Sequence, residues 1–367
     1  MKMALALARR GLGSTWPNPS VGCVITDNKG HITGRGVTGP GGRPHGEAVA
    51  LSQAGNAARG GVVYVTLEPC AHHGKTPPCA AALVRAGISR VVIATGDPDR
   101  RVSGKGMEIL KNAGIQVDFG VCQIEADEVN QGFFTLCHQK RPMVTLKMAT
   151  SQDGMIAAAS GDKKWITGPL SRQRGHLLRA NHDAIMVGIG TVLADNPSLD
   201  CRLAGLSHLS PVRVVLDSHL RIPDDCRLVD TAKKIPTWVI TGQNEGQNEG
   251  QNEGQKYQSL KSRGVEIFHC DRTGDGRLEL KHMLAILGGQ GITRLLSEGG
   301  AAVNASLIRA SLVDRLYWFK AADIIGADGL AALSFTDINE LTKSPNFSLV
   351  RSGHTGNDIW QEYKIGH

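Results

Sequence analysis

The alternation of two kinds of segment constrains the fold of this 367-residue chain more than any other feature. Short runs rich in β-branched residues, such as VGCVITD at 21–27 and VRVVLDS at 212–218, are separated by amphipathic stretches with helical spacing. This order predicts sheets whose two faces are covered by helices, with parallel crossovers after an initial hairpin formed by 21–27 and 31–36. We therefore expect an α/β fold.

A chain of this length suggests two domains. Arg141-Pro142 marks the expected boundary, because proline cannot continue the long helix predicted over 122–139. The predicted domains are 1–141 and 142–367. In the first we predict helices at 2–12, 46–55, 77–87, 105–114 and 122–139, and strands at 21–27, 31–36, 62–66, 90–96 and 116–120. In the second we predict strands at 143–149, 184–190, 212–218, 237–241, 265–270, 294–299 and 315–321, then an antiparallel pair within 347–364.

The segment GQNEGQNEGQNEGQ, residues 242–255, repeats one tetrapeptide three times. It has no apolar residue to bury, so it predicts a mobile surface loop. We favour repeat expansion without function over a binding element.

The net charge of +7 is compatible with nucleic acid or with small phosphorylated substrates, since lysine and arginine neutralise phosphates. Aromatic residues make up only 4% of the chain, so stacking platforms for single-stranded nucleic acid are not expected. The eight cysteines are scattered, unlike a secreted disulfide framework. Without a long apolar run or a cleavable leader, we expect a cytoplasmic protein that binds small phosphorylated ligands and neither nucleic acid nor a membrane.

Two cysteines flank a histidine-containing loop in TLEPCAHHGKTPPC, residues 66–79, and a third donor lies upstream in PHGEAVA. His45, Cys70 and Cys79 supply one imidazole and two thiolates, a set that holds Zn²⁺ with a fourth position free for water. Glu47, at a predicted helix start, is placed to take the water proton and return it to a substrate. The set matches the zinc-deaminase pattern of H-x-E followed by Pro-Cys and a second cysteine. Eight residues separate the cysteines instead of two, which favours a subfamily with an extra loop over cytidine and tRNA-adenosine deaminases.

Other interpretations of this set stay open. His72 or His73 would close the site as a fourth ligand, which would make the metal structural and Glu47 a surface carboxylate. We favour the open site, because Glu47 lies where a proton carrier is needed. Two further alternatives concern the function of the whole chain. One is a deaminase whose second half only binds nucleotide or forms an oligomer, and the other is a basic domain, stabilised by a structural zinc ion, that binds RNA.

The second half has no G-x-G-x-x-G fingerprint. VGIGTVLAD supplies Gly188 and Gly190 but has Leu193 in place of the third glycine, so a Rossmann site is not supported. RLLSEGG ends a predicted strand in Gly299-Gly300 and leads into a helix, whose free N–H groups could receive a pyrophosphate. The alternative is a turn without a ligand.

The chain resembles the bifunctional riboflavin-biosynthesis family that combines a diaminohydroxyphosphoribosylaminopyrimidine deaminase with a 5-amino-6-(5-phosphoribosylamino)uracil reductase. The resemblance is carried by PNPSVGCVI, HGEAVAL, TLEPCAHHGKTPPC and GDPDRRVSGKG in the first half, and by LKMATSQDGMIA, WIT, TVLADNPSL and SEGG in the second. It implies a cytidine-deaminase-like three-layer α/β/α domain followed by a dihydrofolate-reductase-like α/β domain. It also implies Zn²⁺ and NADPH as cofactors, a homo-oligomeric assembly, and deamination of the pyrimidinone followed by reduction of the ribosyl group to ribityl.

The resemblance assigns roles to individual residues. It implies that His45, Cys70 and Cys79 bind zinc and that Glu47 carries the proton. The residues implied to contact substrates are Asn18, Lys75, Arg179, Leu199, Arg202 and Glu298. The residues implied to contact NADPH are Ala149, Trp165, Thr191, Asp195, Ser218, Gly299 and Gly300, with Lys147 near the site of hydride transfer.

Four of these residues have simpler interpretations. Asn18 could only build a turn, and Lys75 could be a solvated charge. Arg179 could face solvent on an amphipathic helix, and Trp165 could belong to the core. Two positions depart from the family. Lys163 stands where a serine commonly contacts substrate, and Gly46 stands where alanine is usual, which should weaken the helix start by at most about 1 kcal/mol.

Overall fold

The computed structural model describes residues 1–71, 77–99, 103–157, 165–242, 251–326, 329–333 and 338–366. The chain forms two compact units, Met1–Lys140 and Arg141–His367. Four residues of the sequence interpretation lie outside the described ranges, namely His72, His73, Lys75 and Lys163. Residues 243–250 of the repeat segment also lie outside them. None of the helices in the described ranges has the length and apolar character needed to cross a bilayer.

The first unit is built around one five-stranded sheet. Its strands are β1 (Gly22–Thr26), β2 (Ile32–Val37), β3 (Val62–Val65), β4 (Arg90–Ile93) and β5 (Gln116–Phe119). Its helices are α1 (Lys2–Arg10), α2 (Gly46–Ala54), α3 (Cys79–Arg85), α4 (Lys105–Asn112) and α5 (Gln123–Gln139). The strand order is β2-β1-β3-β4-β5, with β1 antiparallel to β2 and β3, and with β3, β4 and β5 parallel. The predicted initial hairpin and the later parallel crossovers are confirmed.

Helices cover this sheet because its inner strands are largely apolar and buried; every residue of β1 is buried, and so are three of the four residues of β4. A core cluster joins β1, β3 and β4 to α2, α3 and α4. The start of α2 approaches β2 closely, since a Cβ atom at Gly36 would lie 2.0 Å from the carbonyl oxygen of Gly46. Glycine at position 36 therefore allows the segment that carries His45 and Glu47 to lie against the sheet.

The second unit is built around a nine-stranded mixed sheet. The nine strands of this sheet are β6 (Met143–Thr150), β8 (Ala184–Gly188), β9 (Val212–Leu216), β10 (Thr237–Gly242), β11 (Val265–Cys270), β12 (Arg294–Ser297), β13 (Arg315–Lys320), β15 (Phe347–Thr355) and β16 (Asp358–Ile365). Two short strands, β7 (Met155–Ala157) and β14 (Leu330–Ala331), pair with each other outside it. Its helices are α6 (Pro169–Ala180), α7 (Ile189–Asp195), α8 (Arg227–Asp230), α9 (Gln251–Ser262), α10 (Leu280–Gly289), α11 (Ala301–Arg309) and α12 (Ile338–Leu341).

The large sheet has the order β11-β10-β9-β8-β12-β6-β13-β16-β15. All pairs from β11 to β13 are parallel, and the last two pairs are antiparallel. The predicted α/β class and the terminal antiparallel pair are therefore confirmed. A short pairing of β7 with β14 was not predicted, because strands of three and two residues carry no readable alternation.

Two predictions for the second unit are wrong in part. The strand predicted at 184–190 ends at Gly188, and the next two residues begin α7, because the apolar run continues into the helix and does not mark the change. The mobile loop predicted at 242–255 is too long, since Gly242 ends β10 and 251–255 belong to α9. Glutamine and glutamate favour helix, and α9 is anchored further along by Leu260, which is fully buried.

Candidate active sites

The three predicted zinc donors converge in the first unit. His45 immediately precedes α2, Cys70 lies in the extended segment after β3, and Cys79 is the first residue of α3. Nδ1 of His45 lies 3.3 Å from Sγ of Cys79 and 3.6 Å from Sγ of Cys70. All three donor atoms lie within 4.8 Å of one another.

This donor set fits a zinc ion. Tetrahedral bonds of about 2.1 Å to nitrogen and about 2.3 Å to sulfur would separate neighbouring donor atoms by about 3.6 Å, close to the distances in the structure. The backbone N–H of Cys79 donates to Sγ of Cys70 at 3.3 Å. Hydrogen bonds from Cys79 and His45 lower the pKa of the Cys70 thiol, whereas the bond to Cys70 together with burial raises the pKa of the Cys79 thiol. A thiolate that is stable before the metal arrives favours metal binding.

Glu47 lies in the first turn of α2 and is only 3% exposed. It lines the same cavity as His45 and Cys70. Burial, together with the negative charge of Cys70, raises the pKa of Glu47 to about 7. A carboxyl group that titrates near neutral pH can both accept and donate a proton. The interpretation of Glu47 as a surface carboxylate is therefore wrong.

A cavity of about 120 Å³ adjoins the donor set. Asn18 lines it, and the Asn18 amide also donates to the carbonyl oxygen of Gly41 at 3.2 Å, so the side chain both shapes a loop and faces the cavity. Burial raises the pKa of Asp97, on the same wall, to about 6. The sequence interpretation missed several lining residues, among them Thr38, Glu68, Asp97 and Asp99. The motifs TLEP and GDPD contain three of them and were a signal for this wall.

In the second unit, Arg179 and Glu298 form a bidentate ion pair. Nε and Nη2 of Arg179 lie 2.7 and 2.9 Å from the two carboxylate oxygens of Glu298, and Nζ of Lys147 lies 3.8 Å from one of them. Burial alone would raise the pKa of Glu298, but the charges of Arg179 and Lys147 outweigh burial and lower the pKa to about 2. The Arg179 side chain is only 15% exposed, so its interpretation as a solvent-facing helix residue is wrong.

The segment beside this ion pair carries other predicted residues. Arg179 also donates to the carbonyl oxygen of Asp200 at 3.0 Å, whereas the side chain of Arg202 is 59% exposed. Leu199 has a φ of 52°, and its side chain is buried in the core, so a ligand can reach only its backbone. His176 was missed. Its Nδ1 lies 3.1 Å from the Asp200 carbonyl, and burial with the charges of Arg179 and Arg202 lowers its pKa.

Several predicted cofactor residues follow the carboxyl ends of parallel strands. Ser218 follows β9, Thr191 belongs to α7 after β8, and Gly299-Gly300 joins β12 to α11. A Cβ atom at Gly300 would lie 3.5 Å from Oγ1 of Thr191, so these two positions are adjacent. A cleft of about 840 Å³ is lined by Ser218, Gly188 and residues of the first turn of α11. The carboxyl end of a parallel sheet is where α/β proteins bind ligands, and the cleft has the size of a cofactor site.

Among the described residues, Ser218 is the one predicted cofactor residue that lines this cleft. Thr191, Gly299 and Gly300 do not line it, although Thr191 follows the lining residue Gly190. The predicted residues Ala149, Asp195 and Trp165 do not line it either. Ala149 lies in β6 and packs partly against the core, and Asp195 is exposed at the end of α7. Trp165 is 56% exposed, with the guanidinium carbon of Arg172 5.0 Å from the centre of its ring, so its interpretation as a core residue is wrong.

Fold and site together define a zinc-binding deaminase unit followed by an α/β unit with a cofactor cleft. Comparison with known families agrees. Residues 1–95 match the cytidine and deoxycytidylate deaminase zinc-binding region, and residues 142–360 match the RibD C-terminal domain. The chain belongs to the RibD family, and it is a bifunctional deaminase and reductase that uses zinc and NADPH.

Individual relatives cover nearly the whole chain. The riboflavin biosynthesis protein RibD of Aquifex aeolicus is 43% identical over 90% of this chain and 88% of that protein. The protein of the same name from Escherichia coli is 36% identical, over 98% and 96%. Among solved structures, Acinetobacter baumannii RibD (form 1) is 36% identical with a TM-score of 0.85, covering 100% of this chain and 98% of that one. A Thermotoga maritima structure described as a diaminohydroxyphosphoribosylaminopyrimidine deaminase/5-amino-6-(5-phosphoribosylamino)uracil reductase is 34% identical with a TM-score of 0.83, covering 100% and 97%.

Proposed function

We propose that the first unit hydrolyses the 2-amino group of 2,5-diamino-6-(5-phosphoribosylamino)pyrimidin-4(3H)-one. The second unit then reduces the product, 5-amino-6-(5-phosphoribosylamino)uracil, to its ribityl derivative with NADPH. The observation that carries the deaminase half is the convergence of His45, Cys70 and Cys79 beside the buried carboxyl group of Glu47. The Thermotoga maritima relative, whose description combines the same two activities, supports the pairing.

In the deaminase site, zinc held by the three donors would supply a water that is acidic near neutral pH. Glu47 accepts a proton in the cavity and delivers it to the leaving amino group, a task suited to a buried carboxyl group that lines the same cavity as His45 and Cys70. Asn18, on the cavity wall, offers its amide to the ribose or the pyrimidine. We assign the substrate phosphate to Lys75, which lies outside the described residues, because it stands between two zinc ligands in the sequence and an ammonium group suits a phosphate.

In the reductase site, Arg179 and Lys147 keep Glu298 ionised, so that its carboxylate accepts N–H groups of the pyrimidine. Arg179 is already engaged by Glu298 and by the Asp200 carbonyl, so it orients the carboxylate and adds positive charge near the sugar. The more exposed Arg202 is the better partner for the substrate phosphate. NADPH would supply the hydride, and the ammonium group of Lys147, 3.8 Å from the Glu298 carboxylate, is placed to give a proton.

We assign NADPH to the cleft beside Ser218, with its pyrophosphate at Gly299-Gly300 and the start of α11. Since Glu298 directly precedes Gly299, the nicotinamide end would lie on the side of the ion pair. Thr191, which is adjacent to Gly300, would contact the same phosphates. Contacts of Ala149, Trp165 and Asp195 with NADPH, and of Leu199 with the substrate, stay part of this proposal.

We also propose that the protein acts in the cytoplasm as a homo-oligomer. Its cysteines are free thiols, a state that a reducing compartment maintains. The hairpin of β15 and β16 forms an edge of the large sheet and exposes Leu349, Val350 and Ile359, apolar side chains that a second copy would cover. Light scattering coupled to size-exclusion chromatography tests the assembly. A monomer at all concentrations would contradict it.

Paired variants test the two-site function. Glu47→Gln should abolish ammonia release from the pyrimidinone and leave NADPH oxidation with the deaminated substrate unchanged. Glu298→Gln should do the reverse, because its carboxylate lies in the second unit. Ammonia is measured by a coupled assay and NADPH by its absorbance. Equal loss of both activities in either variant would refute two independent sites, and no ammonia release from the wild-type protein would refute the substrate.

A further inference from the structure

Glu68 is a buried carboxylate that the proposed deamination does not use. It lies two residues before Cys70 and is 3% exposed. Its Oε2 accepts the backbone N–H groups of Asp97 at 3.5 Å and Gly104 at 3.1 Å. Its Oε1 accepts those of Gly106 at 2.9 Å and Met107 at 3.2 Å. One side chain therefore satisfies four backbone donors from another part of the chain.

These bonds join the zinc-ligand segment to the segment that follows β4. β3 and β4 are parallel neighbours, and the N–H of Glu68 donates to the carbonyl oxygen of Thr95, so the two segments stay paired beyond the strands. The contact is tight, since a Cβ atom at Gly106 would lie 2.0 Å from the carbonyl oxygen of Pro69. Glycine at 106 allows the first turn of α4 to approach the Glu68 carboxylate.

The segment held in this way forms one wall of the deaminase cavity. Asp97 and Asp99 line that cavity, facing a space shared with His45 and Glu47. The backbone N–H of Asp99 donates to Oδ1 of Asp97 at 2.9 Å, so the Asp97 side chain is held against the backbone of Asp99. Glu68 thus accepts hydrogen bonds from Asp97, on the cavity wall, and from Gly104, Gly106 and Met107, at the start of α4.

We propose that Glu68 is a positioning residue of the deaminase. Its carboxylate fixes the wall formed by 97–99 and the start of α4 against the segment that carries Cys70, so that the cavity keeps its shape for the substrate. This inference rests on the proposed function of the first unit. Glu68 lines the cavity, but the proposal gives its carboxylate no part in proton transfer, because its two oxygens already accept four hydrogen bonds.

Glu68→Gln tests the proposal, since the amide keeps the shape but places an NH₂ group against two of the four donors. We expect KM for the pyrimidinone to rise about tenfold or more, the order expected when a hydrogen bond to a charged acceptor is lost. We expect kcat to change by less than about threefold. Zinc content and NADPH oxidation should not change. Glu108→Gln is the matched control, because Glu108 is exposed on α4 and the substitution is the same.

Gly106→Ala provides a second variant from the other side of the contact, and it should raise KM in the same way. If Glu68→Gln does not fold, Gly106→Ala is the variant that tests whether Glu68 positions the cavity wall. An unchanged KM in a folded variant would overturn the proposal. Zinc lost in parallel with activity would also overturn it, because Glu68 would then support Cys70 and not the wall. Neither result depends on the substrate assignment, which fails only if the wild-type protein releases no ammonia.

Discussion

Replacing Arg179 with Met should destabilise the second unit, by an amount that depends on pH. The Arg179 guanidinium forms two hydrogen bonds with the nearly buried carboxylate of Glu298. Methionine has a similar length without the charge, so the variant leaves that carboxylate with Lys147, 3.8 Å away, as its remaining cation. Breaking a buried ion pair by removing one partner leaves an uncompensated charge, which is strongly destabilising.

The pKa of Glu298 gives the stabilisation that the surrounding positive charges contribute to the folded state. It lies at about 2, against an ordinary value of 4.5, and at 1.36 kcal/mol per pKa unit the difference corresponds to about 3 kcal/mol. In the wild-type protein this stabilisation is fully present above pH 4.5 and is lost as pH falls towards 2. In the variant, burial without Arg179 raises the pKa of Glu298 above 4.5. The carboxylate then opposes folding at neutral pH, and its protonation relieves the penalty as pH falls.

Urea unfolding at about pH 7.5 and about pH 5 measures this effect. Trp16 is the one tryptophan of the first unit, so fluorescence in a Trp16→Phe background reports the four in the second unit: Trp165, Trp238, Trp318 and Trp360. We expect Arg179→Met to lower the free energy of unfolding by about 3 kcal/mol at the higher pH and by at least about 1 kcal/mol less at the lower pH. Adding Glu298→Gln should remove most of the pH dependence. An equal loss at both pH values would refute the reasoning, because the loss would then come from packing.

Three further outcomes are expected. Removal of zinc with a chelator should abolish ammonia release and leave NADPH oxidation intact, with activity and metal content restored together by added Zn²⁺. Gly46→Ala should lower the melting temperature measured by circular dichroism, because the new Cβ atom would lie 2.5 Å from the carbonyl oxygen of Val21. This clash should outweigh the preference of alanine for helix, which is about 1 kcal/mol. Arg213→Met should lower the free energy of unfolding in urea by about 3 kcal/mol or more. The buried guanidinium donates to three backbone carbonyls and two threonine hydroxyls, which would lose this donor. Arg213→Lys should not restore the stability, because an ammonium group has only three donors for these five acceptors.

The zinc donors could be predicted from the sequence because their chemistry is local. His45 and Glu47 share one helix start, and Cys70 and Cys79 bracket one loop, so residue type and spacing carry the information. The motifs TLEP and GDPD signal the acidic wall residues, but their convergence on the zinc site could not be predicted from local spacing. Asp97 reaches the same cavity only because β3 and β4 are parallel neighbours, which brings their carboxyl ends to one edge of the sheet.

The reductase ion pair shows the limit more clearly. Arg179 and Glu298 are 119 residues apart, and no spacing rule relates a residue of α6 to one that follows β12. Only the family resemblance placed them in one site. Arg179 occupies a helix position that fits the amphipathic pattern of a solvent-facing side. Its side chain is nevertheless largely buried, because it forms an ion pair with the carboxylate of Glu298.

Two carboxylates that follow parallel strands in this chain differ in how much acceptor capacity they have left. An ionised carboxylate has about four lone-pair sites. Four backbone N–H groups occupy those of Glu68, so it can hold a wall but cannot recognise a ligand. Glu298 receives two hydrogen bonds from Arg179, which leaves sites for N–H groups of a substrate and keeps the group ionised. Counting occupied acceptor sites thus distinguishes the positioning role proposed for Glu68 from the binding role proposed for Glu298, which sequence position and burial do not.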